Sequence, residues 1–271
     1  MHSTSQQPKP SHNITAKDLL LLRKQQALLT DDQLAGQKLQ QQIRPKAPWH
    51  AQGINFEHCV VPALYLAGDT LDYFVLPDGR LLAYLADVSG SGTAAALVSM
   101  LLKSIVRGYV FDGQGDAIKT PITPASLLTH INKHLLAYNT DRHVTLICVI
   151  IDTQQNSLYW SVAGHLPSPV LYSDGQAAFL EGTGQPVGLF EQAIFNDLQM
   201  PLPEAFSLSF FSDGIFDVLP HDNLVSSEAA LPALIRTAQG NYTQMVKQLG
   251  LANCSNMPDD IAVLVLSRNL A

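Results

Sequence analysis

Apolar residues along this chain change period several times, and the changes divide it into elements. In residues 17–43, Leu19, Leu22 and Leu29 recur at helical spacing, and Leu34, Leu39 and Ile43 continue an apolar face. Thr30-Asp31-Asp32-Gln33 fits a capping box, which predicts a break between two helices near residue 30. Pro45 and Pro48 end the helical stretch. Its Gln-rich end suits an exposed or partner-facing helix. Packing on its own domain and service as a signalling or dimerising linker are equally open at this point. Residues 1–16 are polar and proline-bearing and predict a disordered lead-in, so 17–48 stands as a helical linker or switch region ahead of a main domain at 49–271.

From residue 54 the pattern is that of strands. The run from Phe56 to Leu66 is apolar and in places β-branched, and Tyr73 to Leu76 and Leu81 to Val88 flank Pro77-Asp78-Gly79, a hairpin turn signal. Residues 92–109 are Ala-rich with Leu97, Leu101, Leu102 and Ile105 on one side, which predicts a buried helix. A second helix follows over 124–138. Strands are predicted again at 144–152, 157–163, 168–172 and 206–212, short helices at 227–238 and 242–252, and a last strand at 261–267. Strands in hairpin-like groups, without strict βαβ alternation, indicate antiparallel sheets with helices packed outside, an α+β layered fold. There is no internal repeat and no second domain.

Composition narrows the function classes. With 271 residues the chain can bury a sizeable core. A net charge of −7 and the lack of any Lys/Arg cluster argue against nucleic acid. No continuous apolar run approaches the ~18 residues of a membrane span, and the first fifteen residues lack a signal-peptide core. Cys59, Cys148 and Cys254 are scattered and odd in number, as free thiols in a reducing compartment would be, so the expected location is cytoplasmic.

The acid is unevenly distributed: 18 Asp against 5 Glu, in a chain only 14% charged. Asp favours turns, so a loop-rich protein is the plain reading of any single one. Four placements go further. Asp69 lies in Ala67-Gly68-Asp69, Asp87 in Ala86-Asp87-Val88-Ser89-Gly90, Asp213 in Ser212-Asp213-Gly214, and Asp259 beside Asp260, each where an apolar run meets a turn. Gly90, Gly92 and Gly214 free the backbone nearby, so the Val88 carbonyl could also reach a cation. Convergent oxygen ligands suit Mg²⁺ or Mn²⁺ rather than Zn²⁺. Two such ions about 3.5–4 Å apart would support in-line displacement at phosphorus. His130 and His134 have helical i, i+4 spacing, but a zinc site would need further ligands that the sequence does not supply. Neither a Gly-x-Ser-x-Gly elbow nor a Gly-x-x-x-x-Gly-Lys loop is present, which removes serine-hydrolase and P-loop chemistry.

At these residues the chain resembles the SpoIIE/RsbU-type branch of the PPM family, the metal-dependent serine/threonine protein phosphatases related to type 2C. Ala67-Gly68-Asp69-Thr70-Leu71-Asp72 resembles GGDxxD, and Ala86-Asp87-Val88-Ser89-Gly90-Ser91-Gly92 resembles GDVSGKG. Ala163-Gly164-His165-Leu166-Pro167 resembles AGHPP, and Pro186-Val187-Gly188-Leu189 resembles PLGL. Ser212-Asp213-Gly214-Ile215-Phe216-Asp217 resembles TDGLTE, and Asp259-Asp260-Ile261 resembles DDIT. Six motifs in the family's order, over about residues 33–268, are a specific match. The departures are Ala67 for the first glycine, Ser91 for the lysine and Asp217 for the glutamate. None removes an expected ligand.

The resemblance implies a four-layer α-β-β-α sandwich and two Mn²⁺ or Mg²⁺ ions. It also implies hydrolysis of phosphoserine or phosphothreonine by metal-activated water, without a phosphoenzyme. Asp69, Asp87, the Val88 carbonyl, Asp213 and Asp259 match metal positions. Asp72, Gly90, Gly92, His165 and Asp260 match supporting or substrate-side positions, with a structural role for His165 favoured over general acid. The implied partner is a phosphorylated regulator, an anti-sigma-factor antagonist of the STAS type. An upstream receiver or sensor domain and a homodimer through the N-terminal helix are further expectations. The competing reading is a non-catalytic pseudophosphatase that binds a sigma-pathway partner.

Overall fold

The computed structural model describes residues 15–111, 121–219, 224–254 and 257–270, so the predicted lead-in falls, apart from Thr15 and Ala16, outside the described residues. Helix α1 (Ala16–Gln42) opens with a reciprocal capping box, in which the Asp18 amide donates to Thr15 Oγ1 and the Thr15 amide to Asp18 Oδ2. The break predicted near residue 30 is absent, and α1 runs through Thr30-Asp31-Asp32. Capping residues compete with a helix only by a few tenths of a kcal/mol each, and no glycine or proline interrupts residues 17–35. Of the described side chains in α1 only Gln40 is buried, while Leu19–Leu22, Leu28, Leu29, Leu34 and Leu39 face solvent.

Beyond α1, strands β1 (Trp49–Ala51), β2 (Ile54–Val61), β3 (Thr70–Val75) and β4 (Leu81–Val88) precede helices α2 (Gly92–Val110) and α3 (Pro124–Tyr138). Next come β5 (Val144–Asp152), β6 (Ser157–Ala163), β7 (Val170–Ser173), β8 (Gln176–Phe179), β9 (Leu198–Pro201) and β10 (Phe206–Phe211). A 3-10 turn at Asp213–Asp217 leads to α4 (Leu224–Thr237), α5 (Tyr242–Gln248) and the last strand, β11 (Ile261–Arg268). The strand expected to reach Leu66 ends at Val61, ahead of Pro62, and the segment from there to Asp69 is a loop.

The strands form two antiparallel sheets, in the orders β1-β2-β11-β10-β7-β8 and β3-β4-β5-β6-β9. Alternation along β4 explains the layering. Leu81, Ala83 and Leu85 face the other sheet, packing with Ile54, Phe56, Phe206, Phe210 and Leu264. Leu82, Tyr84, Ala86 and Val88 face α2 and α3, packing with Leu102, Val106, Leu128 and Ile131. On the far side Phe211, Val263 and Val265 meet Leu231, Ile235 and Met245 of α4 and α5. The result is the four-layer α-β-β-α order, in which both faces of the central strands are covered and the strands therefore read as continuous apolar runs. Helix α2 is apolar and long enough, by length and composition, to cross a membrane, but half of it is buried inside the protein.

Candidate functional site

Three tight backbone approaches bring the Asp motifs together. The loop before β3 passes over the end of β4: a methyl on Gly68 would stand 3.0 Å from the Val88 carbonyl oxygen and 3.5 Å from that of Gly90. Asp260, at the start of β11, holds that loop from the other sheet. Its Oδ1 accepts from the Ala63 amide and its Oδ2 from the Gly68 amide, each at 2.7 Å. At the end of β10 the Ser212 hydroxyl accepts from the Ala262 amide at 2.8 Å and donates to the Asp260 carbonyl at 3.3 Å. Gly214 is packed so closely that a methyl there would overlap the Asp260 carbonyl. Asp69, Asp87, Asp213 and Asp259 are therefore carried by segments from both sheets.

Their burial is graded. Asp69 is 2% exposed, Asp87 is half-buried, and Asp213 and Asp259 reach solvent. Burial first, and then the neighbouring charges of Asp87, Asp260 and Asp213, push the Asp69 carboxyl well above the ordinary carboxylate range, against a lowering hydrogen bond from Ser212. Burial followed by the charges of Asp213, Asp259 and Asp260 raises Asp87 to about 7. Asp213 is raised by partial desolvation and then by Asp259. Asp69 thus feels Asp87 and Asp213, and Asp87 and Asp213 feel Asp259.

This arrangement fits a hard cation. Asp69 Oδ2 is buried and without a hydrogen-bond partner. Among the described residues no Lys, Arg or His comes within 4.0 Å of the carboxylates of Asp69, Asp87, Asp213 or Asp259, since the ion pairs present involve Asp72 and Asp78. A buried carboxylate of this kind needs a compensating charge. The side chains are neighbours rather than a closed cage: among the described residues no three Asp, Glu, His or Cys already converge as a preformed metal cluster. Mg²⁺ or Mn²⁺ suits such a set, because both take carboxylate and carbonyl oxygens and keep several waters.

The remaining predicted residues separate. Asp72 is buried away from this set, bonded through Oδ2 to Arg107 at 3.0 Å and beside Lys103 at 3.7 Å, and so ties β3 to α2. His165 is buried, and its Nε2–H donates to the Phe211 carbonyl at 3.0 Å. Burial lowers the imidazole to about 4, so it is a neutral ring that braces the end of β10. Gly90 adopts φ +81° and Gly92, the first residue of α2, φ +74°. His130 and His134 stack with ring centroids 4.0 Å apart, and His134 Nδ1–H donates to the His130 carbonyl.

Two residues at the site escaped the sequence reading. Gln40 of α1 grips the backbone of Ala67: its Nε2 donates to the Ala67 carbonyl at 2.7 Å and its Oε1 accepts the Ala67 amide at 3.1 Å. Arg44, just past α1, feels the charges of Asp69 and Asp260. Gln40 lies in a Gln-rich run that reads as solvent-exposed, and its apolar neighbours Leu39 and Ile43, themselves exposed, do not mark it.

Comparison with known proteins agrees with this fold. The family model described as Stage II sporulation protein E (SpoIIE) matches residues 77–269. Phosphoserine phosphatase RsbP of Bacillus subtilis (strain 168) is 27% identical over 157 residues, 56% of this chain but only 37% of RsbP, so the chain spans well under half of that relative. The SiaA-PP2C domain of Pseudomonas aeruginosa superimposes with a TM-score of 0.71 at 18% identity, over 90% of this chain and 98% of that one. RsbX in complex with magnesium does so with a TM-score of 0.59 at 15% identity, over 82% and 98%. The fold is therefore that of PP2C phosphatase domains, and with the family model covering most of its length, the chain belongs to the SpoIIE family.

Proposed function

We propose that this chain is a metal-dependent serine/threonine protein phosphatase whose centre is the Asp69, Asp87, Asp213 and Asp259 set. The observation that carries the reading is the buried Asp69 Oδ2, without a hydrogen-bond partner, among carboxylates that form no ion pair within the described residues. In this reading Asp69, Asp87, the Val88 carbonyl, Asp213 and Asp259 hold two Mn²⁺ or Mg²⁺ ions. Bound there, the ions would supply Lewis acidity toward a phosphoryl group and lower the pKa of water at the site. The protein's own part is positioning. Asp260 holds the Gly68–Asp69 turn, Ser212 fixes the start of β11, and Gly214 lets Asp213 lie against Asp259–Asp260. His165, neutral and bonded to backbone, serves as a brace rather than an acid.

The proposed substrate is a phosphoserine or phosphothreonine regulator in a sigma-factor pathway, of the STAS anti-sigma-antagonist type, and the proposed location is cytoplasmic. Residues 17–48 act as the switch ahead of the catalytic domain at 49–271. Two observations support this: α1 exposes its leucines, as a dimer seam or docking face for an upstream sensor or receiver would, and its one buried side chain, Gln40, grips the residue that begins Ala67-Gly68-Asp69. The test is a Mn²⁺ titration of phosphate release from a phosphorylated STAS protein, run on the full chain and on a form lacking residues 1–44. Saturable Mn²⁺ dependence, with a rate altered by the deletion, supports both parts. No turnover at excess Mn²⁺ would leave a pseudophosphatase that binds the same partner. An unchanged rate after deletion would remove the switch.

A further inference from the structure

The loop that carries the site's backbone carbonyl holds no cation of its own, since Ser89, Gly90, Ser91 and Gly92 follow Asp87-Val88. A positive charge reaches it from elsewhere. Arg142, between α3 and β5, donates through Nη1 to the Ser89 carbonyl, and its guanidinium lies so close to Gly90 that a methyl there would overlap Nη1. Two more bonds fix the approach: the Ser89 amide donates to the His143 carbonyl at 3.0 Å, and the His143 amide to Ser89 Oγ at 3.1 Å. Gly90, at φ +81°, is the residue type that admits this contact.

Arg142 is not consumed by these bonds. A guanidinium has five N–H donors, one of which is used here, and among the described residues no carboxylate comes within 4.0 Å of it. The side chain is half-buried and lines an open groove of about 320 Å³ together with Leu135, Asn139, Asp141, Gly188 and Leu189. Leu189 and the adjacent Phe190 are exposed, at 48% and 45%. Arg142 is therefore tied to the loop that packs on the Gly68–Asp69 turn, and it presents unused donors beside an apolar lip. A half-buried arginine held by a backbone bond has already lost part of its rotamer freedom, which strengthens its grip on an oxyanion.

We propose that Arg142 is the substrate-side cation of this site, binding an oxyanion of the phosphopeptide at the rim of the carboxylate centre. The assignment rests on the phosphatase reading above and adds a residue to it. The oxyanion is either the phosphoryl group or a carboxylate flanking the phosphoserine, and the two are separable.

The test uses the full chain with Mn²⁺ and phosphoserine peptides bearing acidic or neutral flanks, with inorganic phosphate as competitor. Arg142→Gln, which keeps a donor for the Ser89 carbonyl, and Arg142→Met should raise KM about tenfold or more. Both should leave kcat within about threefold and the Mn²⁺ dependence unchanged, and Arg142→Gln should also leave the unfolding midpoint unchanged. Arg142→Lys should lose less, and Ser91→Lys placed in the Arg142→Gln background should recover part of the loss. If phosphate inhibition weakens by the same factor, the phosphoryl group is the anion bound. If only the acidic peptide loses affinity, a flanking carboxylate is. Unchanged KM and phosphate inhibition, or a fall in kcat with a lowered midpoint, would make Arg142 a loop staple and overturn the proposal. Should the wild type turn nothing over, the phosphatase reading fails by itself. Calorimetric binding of the acidic phosphopeptide to wild type and Arg142→Gln then decides Arg142 separately, equal affinity refuting it.

Discussion

Replacing Asp87 by Asn should stabilise the protein without divalent cations and destabilise it with them. In the cation-free protein the Asp87 carboxyl is raised from 3.8 to about 7, by burial and by Asp213, Asp259 and Asp260. A carboxyl that holds its proton more tightly when folded contributes stability that is complete below about pH 3.8 and is lost as pH rises through about 7. A gap of about three pH units at about 1.4 kcal/mol each gives on the order of 4 kcal/mol. Asparagine has no such term, so relative to wild type Asp87→Asn should gain stability progressively between about pH 4 and 7, up to that order. His58 and His165, each lowered to about 4 by burial, add the opposite slope over part of this window. They are present in both proteins and cancel in the difference. Saturating Mn²⁺ should invert the result, since each of two cations at a hundred times its Kd adds about 2.7 kcal/mol to the protein that binds it, about 5.4 kcal/mol together and more than the gain above. The assay is urea unfolding of both proteins from pH 4.5 to 8, in chelator and in Mn²⁺. A difference that stays flat with pH, or is indifferent to Mn²⁺, would refute the view that these carboxylates form one strained, cation-seeking set.

Other outcomes follow from single contacts. Gly214→Ala should abolish activity and cost about 1–3 kcal/mol, because the new methyl must displace the Asp260 carbonyl and with it Asp213 and Asp259; unfolding and turnover measurements check both parts. Gln40→Leu leaves the Ala67 amide and carbonyl without partners, at about 1–3 kcal/mol for each, and should weaken Mn²⁺ activation by loosening the Gly68–Asp69 turn, read as a higher Mn²⁺ requirement. Asp72→Asn, which weakens a tie to Arg107 and Lys103 of α2, should lower the unfolding midpoint while leaving the Mn²⁺ requirement unchanged, as a titration of activity would show.

The layered fold was legible where burial is two-sided. Strands β4 and β5 are apolar on both faces, and Pro77-Asp78-Gly79 announces the hairpin between β3 and β4. Strands β1, β8 and β9 were not foreseen. They are three or four residues long, mostly half-buried or exposed, and too short for any period to emerge. The helix break near residue 30 was misread because capping residues inside an exposed helix cost little when nothing packs against them. Of the site, the aspartates were legible because each joins a strand end to a turn. Gln40 and Arg142 were not: their backbone partners lie 27 and 53 positions away, and only the folded sheets bring them together.

The central claim, that the aspartate set is a cation-dependent phosphoryl-transfer centre, is tested most directly by phosphate release from a phosphoserine protein at increasing Mn²⁺, for wild type and Asp213→Ala. Asp213 reaches solvent and forms no ion pair among the described residues, so its removal should spare the fold. Turnover that requires Mn²⁺ in wild type and falls at least a hundredfold in Asp213→Ala is the predicted result. Turnover in chelator, or equal rates in the two proteins, would contradict it.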